Sequence, residues 1–93
     1  MRLSHSGLLI LKACFDLANQ RSYGYELMQL TGLASGTLYP ILIRFEDAGG
    51  LSSSWEVADP REKGRPRRRL YRITGAGQSA LAQYLDTLGL ETV

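Results

Sequence analysis

The chain contains one cysteine and one histidine in 93 residues. A single thiol, Cys14, closes no intrachain disulfide, and with only His5 beside it no Cys/His metal cage can form within one chain. Cys14 stands among apolar residues and reads as a small buried hydrophobe. No apolar run approaches the ~20 residues of a membrane span. Met1-Arg2-Leu3-Ser4 does not open a signal peptide, so a cytoplasmic protein with no membrane partner is expected. Nowhere does the sequence set a nucleophile beside a base, lay out a glycine-rich phosphate loop or pair two carboxylates. Neither enzymatic activity nor a cofactor or metal is expected. A chain this short buries only somewhat more than ~60% of its unfolded surface. It is read as one domain, residues 1–93, whose thin core gains from burial against a partner chain.

What the sequence does have is locally placed positive charge. The formal net charge is only +2. Between Arg61 and Arg69 stand Arg61, Lys63, Arg65, Arg67, Arg68 and Arg69 against the single acid Glu62, a local charge of +5 that leaves −3 on the remainder. A basic segment on a mildly acidic body marks one polyanion-facing edge.

Hydrophobic periodicity predicts the elements. Ser4–Asn19 reads as a first helix, apolar almost all round through Leu8, Leu9, Ile10, Leu11, Ala13, Phe15, Leu17 and Ala18, with Lys12 and Asp16 an i, i+4 surface pair. Gln20-Arg21-Ser22 is a polar connection. Tyr23–Leu30 is a short second helix with Leu27 and Leu30 inward, ended by Thr31-Gly32. In Ala34–Leu51, the residues Leu38, Ile41, Leu42 and Phe45 recur at i, i+3, i+4 and i+7, one buried helical face, and Gly49-Gly50 stops the helix. Two starts compete. Ser35 as N-cap puts Pro40 in the second turn; Thr37 as N-cap puts Pro40 in the first turn, where its missing N–H costs nothing. The period then changes to two. Leu51, Ser53, Trp55 and Val57 form the half-buried face of a strand, and Ala58–Arg67 is a loop broken by Pro60, Gly64 and Pro66. Arg68–Ile73 is a second strand, with Tyr71 and Ile73 on one face and Arg68, Leu70 and Arg72 on the other. Thr74 caps a last helix, residues 74–89, with the apolar stripe Leu81, Tyr84, Leu85 and Leu88. The order α-α-α-β-β-α, with a basic loop between the strands, predicts a mainly α fold with a small β-hairpin, the winged helix-turn-helix.

Two stretches carry the functional expectation. The outer face of the third helix is small and polar at the front, then aromatic and cationic, through Ser35, Gly36, Thr37, Tyr39, Pro40, Ile43 and Arg44, of which all but Ile43 are taken as DNA contacts. A recognition helix in the major groove would set Ser35 and Thr37 on base edges or phosphates, Tyr39 on a phosphate and Arg44 on a base or the backbone. Its N-terminal end also suits a phosphate. The second stretch is Lys63-Gly64-Arg65-Pro66-Arg67, expected to be extended because Pro66 pushes Arg65 away from helix. With Arg68 it makes a flat, arginine-bearing element that fits the minor groove. Each stretch has a plainer reading, a surface helix and a solvated charge run; both together, at the spacing of a wing, point to double-stranded DNA. Two surplus apolar faces, Leu8, Leu11 and Phe15 on the first helix and Leu81, Tyr84, Leu85 and Leu88 on the last, are the expected homodimer interface. Trp55, Tyr71 and Tyr84 either belong to the core or line a pocket for a small aromatic effector.

Specific motifs carry a resemblance. Gly24-Tyr25-Glu26-Leu27, then Ser35-Gly36-Thr37-Leu38-Tyr39-Pro40-Ile41-Leu42, then Gly64-Arg65-Pro66 with Leu70-Tyr71-Arg72-Ile73-Thr74 and Gly77, resemble the second helix, recognition helix and wing of the PadR family of bacterial transcriptional regulators. The resemblance runs over about residues 7–85. It implies a homodimer on a palindromic operator, usually a repressor, with the terminal helix supplying much of the dimer contact. Two positions depart from the family pattern: Phe45-Glu46 replaces Leu-Glu, and Gly49-Gly50 replaces one glycine, which would shift the register of the first strand. With one modest C-terminal helix, the chain is similar to the short-form members. The expectation is a sequence-specific, dimeric DNA-binding repressor. A winged-helix protein–protein interaction module and a low-specificity nucleoid-type DNA binder are the alternatives.

Overall fold

The computed structural model describes residues 3–17 and 22–88. Among them the elements run α1 (His5–Asp16), β1 (Ser22–Tyr23), α2 (Gly24–Thr31), α3 (Ser35–Asp47), β2 (Leu51–Trp55), α4 (Pro60–Lys63), β3 (Arg69–Ile73) and α5 (Gly75–Thr87). The strands form one antiparallel sheet in the order β1-β3-β2. This is a winged helix-turn-helix, as the element order predicts.

Helix α1 is the post on which α2, α3, α5 and β3 pack. Ser4 caps it, its Oγ accepting the Gly7 N–H at 3.1 Å. The helix ends at Asp16, short of the expected Asn19; Ala18 and Asn19 lie outside the described residues. Its near-continuous apolar surface is covered largely from within the chain. Ile10, Leu11 and Cys14 are buried together with Leu27, Leu38, Leu42, Leu51 and Leu81. Each such aliphatic side chain contributes ~1.5–3 kcal/mol on burial. This corrects the dimer assignment of Leu11 and Leu81, which belong to the chain's own core. Cys14 is the small buried hydrophobe its neighbours suggest, and burial pushes its thiol up to about 12.

Ser22 and Tyr23, expected in a connection and a helix, instead pair as β1 with Tyr71 and Leu70 of β3. Helix α2 therefore starts at Gly24, and Gly32, at φ +74, terminates it. Its inward stripe is Gly24, Leu27, Met28 and Thr31, which leaves Leu30 exposed rather than inward as expected.

Helix α3 buries Leu38, Ile41, Leu42 and Phe45, the predicted face. Neither Ser35 nor Thr37 caps it. The N-cap is Ala34, whose carbonyl accepts the N–H groups of Thr37 at 3.0 Å and Leu38 at 2.9 Å and whose side chain accepts nothing. Pro40 is thereby inside the helix, and its missing N–H leaves the Gly36 carbonyl without an i+4 donor. Both residues are exposed, so water can satisfy that carbonyl.

The two long strands pair from Leu51↔Ile73 to Trp55↔Arg69. The expected half-buried face of β2 holds only at its start: Leu51 is buried, whereas Trp55 is 58 % exposed and Val57 lies fully in solvent. Beyond Ser53 the hairpin has left the core and projects as the wing. Residues 58–67, expected as a loop extended over Lys63–Arg67, instead contain α4, a single turn. Asp59 Oδ1 starts it by accepting the Arg61 N–H at 2.9 Å, and Gly64, at φ +67, ends it. Thr74 caps α5 as predicted, its Oγ1 accepting the Gly77 N–H at 3.0 Å. Among the described residues no helix is long and apolar enough to cross a membrane.

Candidate nucleic-acid interface

At 100° per residue, Gly36, Pro40, Ile43 and Asp47 stand opposite the buried face of α3, and all four are exposed. Thr37 and Arg44, seven residues apart, share one flank; Tyr39 and Glu46, likewise spaced, share the other. Glu46 identifies that second flank, since it accepts from Ser53 of β2 and lies 3.8 Å from Arg69 of β3. The wing therefore runs along the Tyr39 flank, and Thr37 and Arg44 face away from it. Ser35 begins the helix, exposed, with Gly36 and Thr37 following. The predicted recognition residues thus form one continuous surface. Ile43, 57 % exposed in the middle of that surface, belongs to it as well. An aliphatic side chain there fits a thymine methyl. The signal for it was an apolar residue off the buried stripe of a strongly periodic helix.

The wing is built differently from a plain charge run. Arg65 is not a free cation. Its Nη1 and Nη2 donate to Glu56 Oε1 at 2.7 Å and Oε2 at 3.1 Å, a bidentate pair between the two limbs of the hairpin. Glu56 Oε1 also accepts the Arg68 N–H at 3.4 Å, and the Glu56 N–H reaches the Arg68 carbonyl at 2.8 Å. The Arg65 hydrogen bond, foremost, holds the Glu56 carboxyl down at about 2. The brace is therefore complete above the ordinary carboxylate range and is lost only as pH falls through about 2. Arg67 Nε donates to the Ala58 carbonyl at 2.9 Å. The Arg68 guanidinium lies 3.9 Å over the Tyr23 ring, and Arg69 lies 5.0 Å from the Trp55 ring. Lys63, and Arg61 which the sequence reading did not assign to the site, stand exposed on α4 with no ion pair among the described residues. They are free charges of the wing, and unlike Arg67 and Arg68 they have no hydrogen-bond or ring partner for the side chain among the described residues.

Glu56→Gln removes a negative charge from a basic wing, so bulk electrostatics alone would tighten binding to a polyanion. Loss of the bidentate brace instead frees the hairpin limbs, and DNA affinity is expected to fall by about tenfold, the scale of one charge-assisted pair. Tighter binding in a duplex titration would show that the brace does not shape the wing.

Between α3 and the wing lies a hollow of about 320 Å³, lined by Tyr23, Gly24, Tyr25, Tyr39, Tyr71 and Arg67 to Arg69. Burial, then the Glu46 carboxylate, pushes the Tyr71 phenol above its ordinary range. Of Trp55, Tyr71 and Tyr84, only Tyr71 lines this hollow; Tyr71 is buried in the core, Tyr84 is half-buried and Trp55 is exposed. Of the remaining candidate dimer residues, Leu8, Tyr84 and Leu85 are half-buried, and Phe15 and Leu88 are 44 % and 49 % exposed.

A helix with a small, polar outer face, flanked by a braced basic hairpin, defines the class: a winged-helix nucleic-acid-binding domain. The model of the transcriptional regulator PadR-like family matches residues 15–83, and the chain belongs to that family. It is thus a DNA-binding transcriptional regulator. Among solved structures it is similar to smu.1704 of Streptococcus mutans UA159, at 29 % identity and TM-score 0.71 over 91 % of this chain and 76 % of that one. A PadR family transcriptional regulator of Eggerthella lenta DSM 2243 gives 26 % identity and TM-score 0.72, covering 90 % and 74 %. A PadR family transcription regulator of Clostridium difficile R20291, 24 % identical, shares the fold, with TM-score 0.72 over 92 % of both chains. Curated proteins offer no significant match.

Proposed function

We propose that the chain, a single domain over residues 1–93, acts in the cytoplasm as a sequence-specific repressor, a homodimer on a palindromic operator. The observation that carries this reading is the division of α3 into two flanks. One flank, with Thr37 and Arg44, is unobstructed and can address base edges; the other is occupied by a wing aimed alongside it. That arrangement suits a helix in the major groove with a hairpin at the neighbouring minor groove. Repression and the palindrome are carried by the family resemblance. The dimer is supported by the apolar residues that α1 and α5 leave outside the core, Phe15 and Leu88 foremost.

The test is selection of duplexes from a random pool by the purified protein. Thr37→Ala and Arg44→Ala are expected to change which base is preferred at one position each, a lost base contact costing ~1–3 kcal/mol there. Variants that keep the wild-type preference at every position would remove these residues from base reading. A wild type that enriches nothing, yet binds random duplex in low salt, is a low-specificity binder. One that binds no duplex is a protein–protein module.

A further inference from the structure

A helix in the major groove and a hairpin in the adjacent minor groove cannot meet the same duplex without a sugar–phosphate strand between them, since that strand is what separates the two grooves. On the reading proposed above, one strand of the operator must therefore pass through the cleft between α3 and the wing. The floor of that cleft is the 320 Å³ hollow beside Tyr39, and no carboxylate lines it. We propose that this hollow seats one backbone phosphate, bound by the hydroxyls of Tyr39 and Tyr23 and by the guanidinium edge of Arg68.

The choice among the lining residues follows from what each is already doing. Arg67 has its Nε committed to the Ala58 carbonyl. Arg69 lies beside Glu46 and against Trp55, so its charge is shared with a neighbouring acid. Arg68 uses only the face of its guanidinium, stacked on Tyr23. A stack of that kind leaves the in-plane N–H donors open, which is how arginine binds phosphate. Gly24 leaves room for Tyr39 at the hollow. A Cβ at position 24 would lie 2.1 Å from Tyr39 Oη and 2.6 Å from Cζ, so only glycine at the start of α2 lets the phenol lie across it. A tyrosine lying there offers a hydroxyl donor at the floor of the cleft. Neutral donors of this kind set the register of a protein on the backbone, while cations supply the salt-dependent affinity. The seat is thus a positioning device: it fixes the depth at which Thr37 and Arg44 meet the bases.

The probe is the duplex the purified protein selects from a random pool, prepared as a series in which one linkage at a time is a neutral methylphosphonate. Wild type is expected to show one linkage per half-site, between the segment read by α3 and the segment under the wing, whose neutralisation weakens binding about tenfold. Tyr39→Phe and Arg68→Gln should each weaken binding to the unmodified duplex, and each should blunt the response at that same linkage alone. Arg68→Gln should also lower the log–log salt slope by about one, and Tyr39→Phe should leave it unchanged. Gly24→Ala, with its helical content intact by circular dichroism, should reproduce the Tyr39→Phe pattern. Thr37→Ala should keep the full response. If the losses from Tyr39→Phe and Arg68→Gln simply multiply with the loss at every linkage, no phosphate sits in the hollow, although the protein still binds DNA. A wild type that binds no duplex overturns the DNA reading and the seat with it.

Discussion

Gly77→Ala is expected to lower the melting temperature by about 10–20 °C, whereas Gly75→Ala, two residues earlier on the same helix, leaves it unchanged or slightly raised. A Cβ on Gly77 would lie 2.1 Å from the Gly50 carbonyl oxygen, 2.8 Å from Ile73 Cγ1 and 3.0 Å from the Gly50 carbonyl carbon. Two of these three atoms are backbone, and that backbone is fixed from several directions. The Gly50 carbonyl accepts the Thr74 N–H at 3.1 Å, and the Gly49 carbonyl accepts Thr74 Oγ1 at 2.6 Å. Gly49 itself is at φ +81, closing the end of α3. The added methyl must therefore move the start of α5 off the turn between α3 and β2, at a cost of about 2–3 kcal/mol. One kcal/mol corresponds to roughly 4–8 °C in a domain of this size. At Gly75 an added Cβ meets nothing within 4 Å, and alanine is the better helix former. Thermal unfolding followed by circular dichroism decides it. Equal shifts for the two variants would mean that α5 is not docked on Gly50.

That contact explains which parts of the fold are legible in the sequence. Local patterns are: the i, i+3, i+4, i+7 run in α3, the Thr74 cap and the alternation in β2 and β3 each depend on residues near in sequence. Features created by a distant neighbour are not. Ser22 and Tyr23 form a strand only because Leu70 and Tyr71 lie beside them. A two-residue strand has no period to detect. Alternation tells which residues of β2 share a face, but not that the core stops at Ser53 and leaves Trp55 in solvent. Helix α1 looked too apolar for one chain because four elements pack on it, and no window of sequence counts them.

The candidate site divides the same way. Exposure of the outer face of α3 follows from its period, so Ser35, Thr37, Tyr39 and Arg44 were identifiable. The cations of the wing were countable, but their partners were not. Arg65 meets Glu56 from nine residues away, and Arg68 meets Tyr23 across the sheet. A row of basic residues that reads as uniform positive charge is a brace at Arg65, a stack at Arg68 and free charge at Arg61 and Lys63. Double replacement of Arg65 and Arg67 would therefore mix a change of wing shape with a loss of charge, which is why Glu56 is the more informative position.

The proposed dimer offers the other large effect. Leu88→Asp is expected to convert the dimer proposed for the wild type to a folded monomer, to weaken operator binding by about 10²-fold or more, and to cut the salt slope roughly in half. The apolar stripe of α5 leaves the body by degrees: Leu81 is buried, Tyr84 and Leu85 are half-buried, and Leu88 is exposed. What begins as core ends as overhang, and a second copy is the cover proposed for it. A twofold interface uses the same patch twice, so one substitution places two carboxylates in the contact. Leu85→Asp would be harsher but less clean, because Leu85 also packs against the chain's own core. Among the described residues Leu88 has no such role, and a change at an exposed position shifts stability by about 0.5 kcal/mol or less. Loss of operator binding then follows from geometry rather than unfolding. Two half-sites about one helical turn apart, ~34–36 Å, are held together only while the subunits are joined. Each free monomer neutralises half the phosphates, hence the halved slope. Sedimentation and a salt titration of the same samples give both readings. A Leu88→Asp chain that still sediments as a dimer, or a monomer that keeps the full slope, would take the overhanging end of α5 out of the interface.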